Sequence, residues 1–258
     1  MTHAPDPADD HWSAVAQDWA DLWGTFTDPA RRALLAATGT GPGTRLLDVG
    51  CGTGELLALA ASAGAAVSGA DASPGMVDRA RAAAPGADVR VAPAEALPWP
   101  DGSVDVVTFV NVLALTDDHE AALAEAVRVL RPGGLLAVCG WAERETNDLA
   151  VVHAALAADD GEPVDPDEPE DPWHEEAPVR GVLTDAGLTV EHVEVVEVPW
   201  AVRDVDAVVR GVLLGEDAAG VAERGPVVRA AAEPFRAPDG GYRFRVAARL
   251  LVARTPAR

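Results

Sequence analysis

From Arg45 to Gly140 the chain alternates short apolar runs with stretches of helical length, and a turn signal closes each run. Arg45–Val49 is apolar and runs into glycines, and Glu55–Ala63 follows as an alanine-rich helix. The alternation continues with Ala66–Ala70 as a strand, Pro74–Ala84 as a helix with proline in its first turn, and Val89–Ala92 and Val104–Val110 as strands. His119–Leu130 reads as a helix stopped by Arg131-Pro132-Gly133-Gly134, and Leu135–Gly140 as a fifth strand. Strands joined by helices pair in parallel, and right-handed crossovers set the helices on both faces of the sheet. The predicted fold is therefore α/β, a doubly wound and mainly parallel sheet.

The flanks carry weaker patterns. Trp12, Val15, Trp19, Leu22 and Trp23 recur at three- and four-residue spacings, and Pro29 opens a second helix ending near Gly39, so residues 1–40 read as a helical cap. Residues 158–178 are dense in Asp, Glu and Pro, which disfavours helix and central strand and predicts a loop or lid. Beyond it come Val179–Ala186 as helix, Thr189–Val198 as strand, and Asp204–Leu214 and Val227–Glu233 as helices. Tyr242–Ala253 is the last strand, led in by an Asp-Gly-Gly turn. With 258 residues and 48% hydrophobic composition, a single domain with an extensive core is expected.

Forty-two acidic against 20 basic side chains leave a net charge of −22, a field that repels nucleic acid and anionic lipid. Cys51 and Cys139 lack the spacing of a zinc site, and no metal is expected. The N-terminus has no apolar targeting core and no later segment has the apolar length of a membrane helix. These features predict a cytoplasmic protein without nucleic-acid or membrane partners; they are silent on oligomeric state.

The segment Leu46-Leu47-Asp48-Val49-Gly50-Cys51-Gly52-Thr53-Gly54 puts three glycines on a strand-to-helix turn, where bare backbone and outward amides suit a nucleotide-like ligand. The glycines run GxGxG rather than the GxGxxG of dinucleotide sites. Asp71 ends the next strand 21 residues beyond Gly50, where a carboxylate can accept both hydroxyls of a ribose.

Taken together, LLDVGCGTGELL, GADAS, APAEALPWPDGSVDVV and LRPGGLLAV resemble the successive motifs of class I S-adenosylmethionine-dependent methyltransferases, over roughly residues 45–140. The resemblance implies a seven-stranded sheet with an antiparallel last strand, S-adenosylmethionine as cofactor, S-adenosylhomocysteine as its product, and methyl transfer to a small molecule. By position it implies that Asp48 and the backbone of Gly50, Gly52 and Gly54 cradle the methionine portion and that Asp71 holds the ribose. Ala72 and Met76 would line the adenine, and Asn111 would lie near the methionine portion and the acceptor. The family's usual Asp before Ala-Glu is Pro93 here, so its bond to the adenine amino group is absent. The Ala94 N–H would still meet the ring, and Glu95 is either a replacement acceptor or a solvated loop carboxylate.

Methyl transfer from a sulfonium is a displacement on an activated electrophile, so alignment and exclusion of water suffice, and a base serves only an acceptor that must lose a proton. His153, after the fifth strand, and His174, in the acidic segment, are the candidates for that base. Trp12, Trp19, Trp23, Trp141 and Trp173 are candidate pocket walls, with helix-to-sheet packing as the alternative for each. Two other functions remain: a protein that binds the cofactor without transferring methyl, and a nicotinamide oxidoreductase. The second is disfavoured by the glycine spacing and by the lack of a Tyr-x-x-x-Lys pair.

Overall fold

Strand side chains alternate between two buried layers, as the period of two requires. Leu46, Val106, Ala137, Cys139, Leu250 and Val252 belong to one layer, and Leu47, Val107, Phe109, Leu136, Val138 and Leu251 to the other. The computed structural model of the protein describes residues 11–162 and 171–257. The elements that contribute to these layers are, in order, α1 (His11–Leu22), α2 (Asp28–Ala37), β1 (Arg45–Val49), α3 (Glu55–Ser62), β2 (Ala66–Asp71), α4 (Pro74–Ala83), β3 (Asp88–Val91), β4 (Val104–Val110), α5 (His119–Val129) and β5 (Leu130–Trp141). There follow α6 (Leu149–Asp159), α7 (Glu176–Asp185), β6 (Thr189–Glu197), β7 (Trp200–Val202), α8 (Val205–Val212), α9 (Ala218–Ala232), β8 (Tyr242–Phe244) and β9 (Ala247–Arg254).

Seven strands form one sheet in the order β3-β2-β1-β4-β5-β9-β6. The strands β1 to β5 pair in parallel, and β9 runs antiparallel to both β5 and β6. The fold is thus the α/β, seven-stranded, doubly wound sheet with an antiparallel last strand. One layer is covered by α2, α3, α6, α8 and α9, the other by α5 and α7. The chain leaves β1 toward β2 on one side and reaches β4 on the other, so a crevice opens at the carboxyl ends of β1 and β4.

Several boundaries differ from expectation for local reasons. The expected strand Tyr242–Ala253 is two strands: β8 pairs with β7 in a separate ribbon, and the chain crosses to the main sheet at Arg245–Val246. Asp148 accepts the Arg245 N–H at 2.6 Å and Val246 O accepts the Val198 N–H at 2.8 Å, which fixes the crossing. The Arg-Pro-Gly-Gly stop is absorbed into β5 as an irregularity, with Leu130 still paired to Val104 and Gly133 at φ 71°. Helix α9 starts well before Val227 and carries Pro226 internally; Asp217 caps it through the N–H groups of Ala219 and Gly220, and burial of Val228 and Ala232 holds it. The acidic segment expected at 158–178 is narrowed by α6, which reaches Asp159, by a tight turn at Pro172–His174 and by α7, whose first turn accommodates Pro178. Its residues 163–170 lie outside the described residues. Among the described residues no helix is long and apolar enough to cross a membrane.

Candidate functional site

The turn that follows β1 uses glycine three times, and the surroundings of the three differ. All three residues have positive φ, at 66° for Gly50, 52° for Gly52 and 92° for Gly54. A Cβ at Gly50 would stand 2.3 Å from a methyl of Val112, and one at Gly54 2.7 Å from the Cα of Ala80 on α4. A Cβ at Gly52 would meet nothing within 4 Å. Gly50 and Gly54 are therefore required by packing, and Gly52 is the member of the turn that faces open space.

That space is a cavity of about 260 Å³ above the carboxyl ends of β1, β2 and β4. Gly50, Gly52, Asp71, Ala72, Met76, Ala94, Glu95 and Asn111 all border it, together with Trp12 and Trp19 from α1. Asp71, at the end of β2, accepts the Gly52 N–H at 2.8 Å through one oxygen and the Ser73 N–H at 3.0 Å through the other. Glu95 accepts the Asp118 N–H at 3.4 Å, which ties it to the start of α5. Among the described residues, Asn111 is the non-glycine residue with left-handed backbone, at φ 57°, and its N–H donates to Cys139 O at 2.7 Å. A residue held in that region at the mouth of a crevice marks a site over-determined by its surroundings.

Asp48 and Gly54 lie behind the wall rather than on it. Asp48 is 3% exposed and accepts the Thr108 hydroxyl at 2.6 Å from the neighbouring strand. Burial pushes its pKa up to about 7, against the Thr108 hydrogen bond and the positive charge of Arg31, which both pull it down. Arg31, buried on α2, donates to Gly24 O at 2.5 Å and to Asp28 at 3.0 Å, and lies 3.9 Å from Glu55 at the start of α3. Sequence reasoning missed Arg31 and Thr108. The Thr108 contact depends on Asp48 and Thr108 being register partners across β1 and β4, and the Arg31 contacts on how α2 packs, so neither had a local signal.

The remaining candidates are dispersed. Trp23 stacks on Trp200 at 4.2 Å, donates its indole N–H to Gly211 O at 3.2 Å, and is a core residue. Trp141 meets Trp23 and Phe26 edge-on and tilted, at 6.4 and 5.6 Å, and Trp173 meets His119 at 5.2 Å; neither borders the glycine-turn cavity. His153 borders a separate cleft between α6, α8 and α9. His174 is anchored through its carbonyl, which accepts from Arg249 at 2.6 Å. A larger cavity, about 670 Å³, lies between the turn after α1 and β7–α8 and holds none of the glycine-turn residues. Both cysteines are buried and unpaired, and burial raises their thiol pKa values, so neither is primed as a nucleophile. Among the described residues, no group of three or more His, Cys, Asp or Glu is placed to hold a metal ion.

Chemically, the arrangement offers a concave wall of backbone, a carboxylate at hydroxyl-binding position, apolar side chains of Met76 and Ala94 for a flat ring, and two indoles overhead. Comparison with known proteins finds methyltransferases among the similar chains. Residues 47–138 match the family model described as a methyltransferase domain. An uncharacterized protein of Mycobacterium tuberculosis is 40% identical over 128 residues, 48% of this chain and 47% of that protein. A demethylmenaquinone methyltransferase of a Mycobacterium species (strain KMS) is 38% identical over 125 residues, 48% of this chain and 53% of that enzyme. The chain thus spans about half the length of the curated relatives it matches. The crystal structure of the YcgJ protein from Bacillus subtilis superposes with a TM-score of 0.61 at 19% identity, over 89% of this chain and 99% of that one, a likeness of fold.

Proposed function

We propose that the chain, whose residues 47–138 match a methyltransferase domain, is a class I S-adenosylmethionine-dependent methyltransferase that transfers the methyl group of S-adenosylmethionine to a small-molecule acceptor. The observation that carries this reading is the cavity above Gly52, flanked by Asp71 and roofed by Trp12 and Trp19. When bound, the cofactor supplies an electrophilic methyl on a cationic sulfur. The open position at Gly52 and the nearby carboxylates suit such a ligand, since Asp71 offers acceptors for its hydroxyls and the buried Asp48 beneath the turn would gain charge beside its positive groups. Asp71 would accept the ribose hydroxyls, Ala72 and Met76 would flank the adenine, and the Ala94 N–H would meet its ring edge. Gly50, Gly52 and Gly54 would hold the methionine portion, with Asp48 beneath them and Asn111 at the acceptor side.

What the chain's own residues do is align and dry the site. Trp12 and Trp19 close it from above, and neither His153 nor His174 borders it, so no base is assigned to them. An acceptor without negative charge is favoured by the acidic composition, and the relative at 38% identity, a demethylmenaquinone methyltransferase, is consistent with a small-molecule acceptor. Buried unpaired thiols at Cys51 and Cys139 favour a reducing, cytoplasmic setting.

Thermal unfolding with S-adenosylhomocysteine and, separately, a nicotinamide dinucleotide tests the assignment. At about a hundred times its dissociation constant the first should add about 2.7 kcal/mol and raise the midpoint by about 5–10 °C. A shift with the dinucleotide alone would replace this reading by an oxidoreductase. If S-adenosylhomocysteine binds but no methylated product forms from any of a broad acceptor panel, the chain is a cofactor-binding protein of the same fold.

A further inference from the structure

Helix α1 roofs the cavity with Trp12 and Trp19, and its two flanks are held in different ways. On the α8 side it is fastened by core packing: Trp23 stacks on Trp200, the Trp200 indole N–H donates to Leu22 O at 2.8 Å, and Arg210 pairs with Asp18. On the α4 side it meets the first turn of α4 through Ser13. The Ser13 hydroxyl accepts the Gly75 N–H at 2.7 Å and lies 2.8 Å from the Ser73 hydroxyl. Gly75 permits this approach, because a Cβ there would stand 2.6 Å from Ser13 Oγ and 2.7 Å from its Cα. The φ of Gly75 is not positive, so the absence of a side chain serves the contact and not the backbone.

The same turn carries the carboxylate proposed for the ribose. Ser73 donates its N–H to Asp71, its hydroxyl caps α4 by accepting the Met76 N–H, and Met76 borders the cavity. Ser13 therefore connects the roof to the wall within two residues of Asp71. The Gly75 N–H is one of the first-turn amides that a helix leaves without an internal partner, and Ser13 supplies its acceptor from another element.

We propose that Ser13 is a positioning residue whose hydroxyl docks α1 on Ser73 and Gly75 and so seats Trp12 and Trp19 over the bound cofactor. The proposal rests on the cofactor reading above, and it assigns Gly75 as the partner that makes the close approach sterically open. Indole rings held in place before the ligand arrives cost it less ordering on binding, so loss of the latch appears as lost affinity.

The test measures S-adenosylhomocysteine affinity by calorimetry and amide hydrogen exchange over residues 11–22, with and without that ligand, in the full chain. In the unsubstituted protein the ligand should slow exchange over 11–22. Ser13→Ala should weaken binding about tenfold, the equivalent of one hydrogen bond, and speed exchange over 11–22 in the ligand-free chain while exchange over 200–212 stays as before. Ser13→Thr, which keeps the hydroxyl, should retain tighter binding than Ser13→Ala, and Gly75→Ala should reproduce the loss from the other side of the contact. If Ser13→Ala does not fold, Gly75→Ala alone decides. Unchanged affinity and unchanged ligand-free exchange over 11–22 in Ser13→Ala and Gly75→Ala would overturn the latch. Failure of the unsubstituted chain to bind would instead overturn the cofactor reading, an outcome that no latch variant can mimic.

Discussion

Two residues of the glycine turn separate folding from binding. Gly54→Ala places a methyl 2.7 Å from the backbone of Ala80 at φ 92°, and α3 cannot begin without displacing α4. It should destabilise the protein by about 2–4 kcal/mol, read from the denaturant midpoint. Gly52→Ala meets no atom within 4 Å and asks only for a left-handed alanine, a cost of about 1–2 kcal/mol. Its methyl enters the cavity, so the expected result is a nearly normal fold with S-adenosylhomocysteine affinity reduced tenfold or more by calorimetry. Asp48 carries a pH dependence. Its folded pKa of about 7 lies above the ordinary 3.8, so the folded state binds the proton more tightly and stability falls as pH rises between those values. Asp48→Asn should remove this slope in urea titrations made from pH 4 to pH 8. A ligand bringing positive charge beside Asp48 favours the carboxylate, so binding at pH 6 should release a proton. Calorimetry in two buffers of different ionisation enthalpy should detect that proton in the unsubstituted protein and miss it in Asp48→Asn.

At the scale of elements, α1 and the turn that follows it divide their tryptophans between two duties, and helical spacing alone did not distinguish them. Trp23 is 8% exposed, between Trp200, Phe26 and Trp141, whereas Trp12 is 38% exposed at the cavity edge. Trp23→Ala should cost about 3–5 kcal/mol of stability. Trp12→Ala should cost less than about 1 kcal/mol yet weaken S-adenosylhomocysteine binding. Equal stability losses in the two variants would remove the distinction. The stripe was legible because residues three and four apart share a helix face, but that face crosses from cavity to core along its length. Helix α9 shows the opposite limit: Pro226 suppresses the local helix signal, and packing on α6 and α8 restores the helix across it.

For the molecule as a whole, the last strand is not an appendix. Although the family match ends at residue 138, β9 lies between β5 and β6 and supplies Leu250, Leu251 and Val252 to both buried layers. Removing residues 247–258 should abolish cooperative unfolding and near-ultraviolet dichroism, because β6 then loses the strand it pairs with; a truncated chain with a native-like melt would show the sheet closing without β9. The sequence by itself determined the strand–helix alternation, the parallel character of the sheet, the glycine turn and Asp71, because each is written in local periodicity or in a short spacing along the chain, while its motif resemblance pointed to Ala72, Met76, Ala94, Glu95 and Asn111, which border the cavity. Only the tertiary structure decided which glycine faces open space, which tryptophans reach the cavity, that Arg31 and Thr108 sit around Asp48, and that Ser13 meets Gly75. Those contacts join residues tens of positions apart, and side-chain burial and register set them only after the sheet has assembled.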